Sequence, residues 1–191
     1  MSEALKHAVA PRRPTLWRRL SATPLLSYYN RLFALVLACN AGVIWLGPGV
    51  VSMGGESLST MVLVNLSLAT LVRQQYLING LFWLATRVPV TWPLGIRRRV
   101  AKVYHFGGLH SGAAVAATGW FIALVGVQAA MQLREPGSVS APVLWLNAGL
   151  MGMLLLMVGM ALPQVRGRFH NGFERVHRFA GWGVLLLLVV R

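Results

Sequence analysis

Four histidines carry most of the chemistry open to this chain. They fall in two close pairs, His105 and His110 in VYHFGGLHSG, and His170 and His177 in FHNGFERVHRFAGW. Imidazole is a standard axial ligand for haem iron. An ionisable group at membrane depth is expensive to place, which makes it a functional candidate. Little else is available. There is no Ser-His-Asp order, phosphate loop or zinc spacing, and the apolar runs contain no Asp, Glu or Lys. The single cysteine, Cys39, excludes a disulfide framework and a Cys-based metal site. It reads as a small buried apolar residue.

The elements that must position these histidines follow from composition. Of 191 residues, 56% are hydrophobic and 12% charged, with a mean hydropathy of +0.61. Soluble domains carry about 25% charged residues, so lipid has to make up the deficit. The net charge of +14 raises nucleic acid as a partner. However, the basic residues lie in short clusters between apolar runs of spanning length, a pattern of membrane-flanking loops that argues against nucleic acid. The predicted fold is all-α, a polytopic transmembrane helix bundle with four full spans and an incomplete fifth. The spans are placed at about 29–50, 58–72, 103–131 and 143–162, with a last apolar run from Phe179 to Val190. Residues 1–28 read as a basic cytoplasmic arm without a signal peptide, and 29–191 as the membrane domain. Tyr76–Ala85 is either an extension of the second helix or an interfacial segment, with Trp83 and Trp92 at headgroup depth. From His177 to the end the chain reaches only ~22 Å as a helix, short of the ~30 Å hydrocarbon core. Either the chain is truncated, the favoured reading, or its last helix ends inside the membrane.

Sixteen of the 18 Lys and Arg fall on the N-terminal side of this topology, with Arg134 opposite and Arg191 at the chain end. The positive-inside rule puts that side in the cytoplasm, consistent with a plasma or bacterial inner membrane. His105 then opens the third span and His177 the fifth, at similar depth, where the two could hold one haem. His105, Gly108, Gly112, Ala116 and Gly119 share one helix face. That stripe would admit a flat macrocycle, although a small-residue stripe in a membrane helix is more often a helix-packing face. His110 lies about 140° round the helix from His105, so it is an alternative ligand or a hydrogen-bonding group towards another helix. His170 reads as a loop residue, solvated or partnered with Glu174. His7 in the arm is given no role. Arg97–Arg99 would suit haem propionates or anionic headgroups.

The order of these features resembles ferric reductases and their relatives. LVRQQYLINGLFW, WPLGIRRRVAKVYHFGGLHSG and FHNGFERVHRFAGW are similar to the membrane part of the TmpA-type membrane flavoproteins, some of which are fused to or neighbour adenylate-forming enzymes. The resemblance covers roughly residues 60–190. It implies an electron-transfer component of an oxidoreductase, relaying electrons through b-type haem from a cytoplasmic FAD- and NAD(P)H-binding module. That module would be a separate flavoprotein or a fused reductase domain, because this chain has none. Ferric reductases carry a second His about four turns beyond each first one. Here those positions are Gly119 and Arg191, so a second haem is not implied. The alternatives are a haem-free integral membrane interaction or regulatory protein, or a truncated non-catalytic remnant.

Overall fold

In lipid a backbone group has no water to bond, so each apolar block must close its hydrogen bonds internally as a helix. The computed structural model describes residue 23 and residues 26–190, and no strand occurs among them. The helices are α1 (Tyr28–Leu46), α2 (Gly55–Val72), α3 (Gln75–Thr86), α4 (Leu94–Val100), α5 (Gly107–Arg134), α6 (Ala141–Ala161), α7 (Pro163–Arg168) and α8 (His170–Val190). Short 3-10 turns at Val50–Ser52 and Ala101–Phe106 lead into α2 and α5. α1, α2, α6 and the Leu94–Arg134 stretch that contains α5 are long and apolar enough to cross a membrane. The chain is a polytopic all-α membrane protein. Most of the N-terminal arm, His7 included, lies outside the described residues.

Local chemistry sets the helix ends. α1 stops at Gly47, just before Pro48, which has no N–H with which to continue the ladder. α2 starts three residues ahead of the expected 58, because Gly54 caps it and Glu56 enters its first turn, where the helix dipole favours a carboxylate. α2 does not run on through Tyr76–Ala85. Gln74 adopts an extended conformation, its side-chain oxygen accepts the Tyr76 N–H at 2.7 Å, and α3 starts afresh.

Two further boundaries differ from expectation and matter for the site. Lys102 leaves helical geometry, so His105 lies in the 3-10 turn ahead of α5 instead of opening the helix. The polar stretch before His177 is helical, not a loop. Pro163 starts α7, and α8 begins at His170, two turns before His177.

α1 and α2 both pack along α5, α6 packs on α5, and α8 packs on α6. Leu58, Val62, Phe121, Leu124, Leu150, Leu154 and Val184 form the main buried cluster with Trp120. The α1–α5 seam explains the small-residue stripe. A Cβ on Gly108 would run into the Tyr29 carbonyl, and one on Gly112 would sit 3.0 Å from both the Phe33 carbonyl oxygen and the Val36 Cβ. Gly119 faces open space. The stripe is therefore a packing face. Cys39 departs from its expected burial: it is exposed on α1, on a surface that lipid would cover.

A polar clasp ties the same three helices. Asn40 Nδ2 donates to Asn65 Oδ1 at 3.0 Å, and Asn65 Nδ2 donates back to Asn40 Oδ1 at 2.8 Å. Trp120 Nε1 donates to that Asn40 oxygen at 2.7 Å.

Candidate cofactor site

The stripe faces α1, so a residue about 160° round α5 from Gly108 and Gly112 points elsewhere. His110 occupies that direction, one turn inside α5. With α8 seated on α6, a cavity of about 910 Å³ is framed by α1, α2, α5, α6 and α8. Its wall is largely apolar, with Leu66, Leu154, Met157, Val158, Val184 and Leu185 among the lining side chains. His110 and His177 both line it, and so do Arg73, Arg166 and Arg178. None of the described lining residues is acidic.

The His110 Nδ1 lies 2.9 Å from the Ala69 carbonyl oxygen on α2. A carbonyl can only accept, so this contact assigns the proton to Nδ1 and leaves the Nε2 lone pair available. Metal-ligating histidines are usually held in this way, with the second nitrogen donating to a carbonyl or carboxylate. On α8, the His177 ring packs against Phe173 with centroids 4.2 Å apart. Its Nδ1 is buried, which leaves Nε2 as the nitrogen that can reach a ligand in the cavity. Nearby, the Tyr29 hydroxyl and Ser111 Oγ share a 2.6 Å hydrogen bond on the same wall.

The sequence candidates therefore separate. His110 and His177 come to one cavity, and His105 does not line it. His105 is enclosed by aromatic rings, with Tyr104 at 4.0 Å and Tyr28 edge-on at 5.4 Å between centroids, and its Nδ1 is likewise unpartnered. His170 pairs with Glu174 at 3.4 Å on the exposed side of α8. Arg97–Arg99 lie away from the cavity, and the arginines that do reach it are Arg73, Arg166 and Arg178. The sequence signal for these three was their position at the ends of apolar runs, which set orientation but not convergence.

Over 168 residues (87% of the chain), the sequence is 36% identical to adenylate-forming reductase 03009 and 34% identical to adenylate-forming reductase 06235, both of Coprinopsis cinerea. The match occupies 16% of each of those proteins, so the chain spans about a sixth of the length of the curated relatives it matches. No family model matches the chain. No solved structure matches it either.

Two further properties bear on what the cavity can hold. Among the described residues no three His, Cys, Asp or Glu side chains converge. Two imidazoles alone suit a metal that brings its own equatorial donors, as haem iron does. The volume is within the ~300–1,000 Å³ usual for ligand and cofactor sites. Both imidazoles are ligands of the type haem iron takes, and they line a space of cofactor size.

Proposed function

We propose that the chain is the membrane domain of a ferric-reductase-like oxidoreductase, with His110 and His177 as the ligands of one b-type haem. The observation that carries this reading is the His110 hydrogen bond to the Ala69 carbonyl, made in a cavity that His177 also lines. Haem, when bound, supplies a one-electron redox centre. The protein's own contributions are distinct. The α2 carbonyl fixes the tautomer and orientation of His110, and α8 presents His177 from another wall. The largely apolar lining would lower the local dielectric and so tune the potential of the site. Arg73, Arg166 and Arg178 offer charge-assisted hydrogen bonds to carboxylates such as haem propionates.

By the positive-inside rule the basic end of the bundle, with the N-terminus, faces the cytoplasm of a plasma or bacterial inner membrane. Electrons would arrive from FAD and NAD(P)H on a cytoplasmic flavoprotein or a fused reductase module. Ferric iron as acceptor rests on the family resemblance alone.

The rival reading, a haem-free membrane interaction or regulatory protein, is favoured by the α1–α5 seam, which accounts for the small-residue stripe through packing. A reduced-minus-oxidised absorption spectrum separates the two. Soret and α-band changes are expected from protein expressed with haem supplied. Folded protein showing neither would sink the electron-transfer reading.

A further inference from the structure

α3 has twelve residues and rises about 18 Å, well short of a ~30 Å span. It follows α2 and precedes α4 and α5, so it leaves and rejoins the bundle at the same, basic end. No residue of α3 or α4 is buried. Ile78, Leu81, Ala85 and Val88, at helical spacing, are half-covered. The outer surface exposes Tyr76 (85%), Trp83 (56%) and Trp92 (48%), with Phe82, Leu94 and Ile96 beside them.

Cations lie on the same stretch of chain. The Arg87 guanidinium stacks on the Trp83 ring at 4.1 Å. Arg97 is engaged through Nη1 with the Val90 carbonyl at 3.3 Å, while Arg98 and Arg99 stand exposed in the last turn of α4. Among the described residues the one ion pair is His170–Glu174, so none of these arginines pairs with a described carboxylate.

We propose that the α3–α4 hairpin is a binding element for anionic phospholipid headgroups. The aromatic and aliphatic side chains would sit at the lipid interface, with Arg87, Arg98 and Arg99 on the phosphates. An acidic protein surface would satisfy the arginines but leave the apolar side chains wet. A bilayer interface satisfies both, because aromatic rings favour headgroup depth and basic side chains favour anionic lipid.

The test is native mass spectrometry of the full chain, delipidated in detergent and titrated with phosphatidylglycerol or phosphatidylcholine at increasing salt. The wild type should retain phosphatidylglycerol preferentially, with retention falling as salt rises. Arg87→Gln/Arg98→Gln/Arg99→Gln should weaken that retention roughly tenfold or more, and Arg134→Gln, at the opposite end, should not. If the triple variant fails to fold, Arg98→Gln/Arg99→Gln at exposed positions provides the comparison. Unchanged preference in the variants overturns the proposal. Equal retention of both lipids by the wild type does so too, and points the arginines towards an acidic protein partner.

Discussion

The Nδ1 of His110 and the carbonyl oxygen of Ala69 lie 2.9 Å apart, joining α5 to α2 across 41 residues of chain. The contact uses the ring nitrogen that a ligand does not need and leaves the other directed by a rigid element. His105, five residues earlier, has no such arrangement and sits among Tyr28 and Tyr104. On α5, Gly108 and Gly112 face α1 while His110 faces the cavity.

Removing the His110 side chain should leave a hole of imidazole size beside the Ala69 carbonyl. His110→Gly should lose the bis-imidazole spectrum of haem-loaded protein, and added imidazole should restore it. Absorption titration with imidazole checks this. A variant whose spectrum never changed would show that His110 is not a ligand.

The α1–α5 seam predicts opposite outcomes for two glycines on one stripe. Gly112→Leu should lower stability by about 1–3 kcal/mol through overpacking, since even a Cβ there meets the Phe33 backbone at 3.0 Å. Gly119→Ala should be neutral or stabilising by up to about 1 kcal/mol, because alanine favours the helix and open space surrounds the site. Thermal unfolding in one detergent ranks them.

Much of this fold is legible in the sequence, because span length is a property of composition alone. The boundaries that fail are those decided by tertiary context. FHNGFERVHR carries glycine and charge and reads as a loop, yet it is helical from His170 as α8 runs along α6. The stripe at Gly108, Gly112 and Ala116 favours packing over a cofactor in the sequence, and the approach of Tyr29 and Phe33 decides it. The angle between His105 and His110 could be calculated from the sequence. Which of the two faces meets α8 could not, because that depends on how α6 holds α8 away from α2.

The Asn40–Asn65 clasp predicts coupling. Asn40→Leu leaves Asn65 and Trp120 without their shared partner, and should cost about 1–2 kcal/mol. Adding Asn65→Leu should cost less than the sum of the two single changes, since no orphaned amide then remains. A double-mutant cycle on thermal or denaturant unfolding measures the coupling.

The basic rim predicts selective weakening of haem retention. Arg73→Gln or Arg178→Gln should lower haem affinity about tenfold, the scale of one lost charge-assisted hydrogen bond, with band positions close to wild type because the axial ligands remain. Arg97→Gln, outside the cavity, should retain haem normally. Haem-release assays with an external haem scavenger report the difference.

The most direct test of the central claim is the reduced-minus-oxidised spectrum of haem-supplied wild type beside His105→Ala, His110→Ala and His177→Ala. Equal folding across the set is verified by thermal unfolding. The account predicts Soret and α bands in the wild type and in His105→Ala, and their loss or conversion to a five-coordinate form in the other two. Bands that survive both His110→Ala and His177→Ala, or that vanish only with His105→Ala, would contradict it.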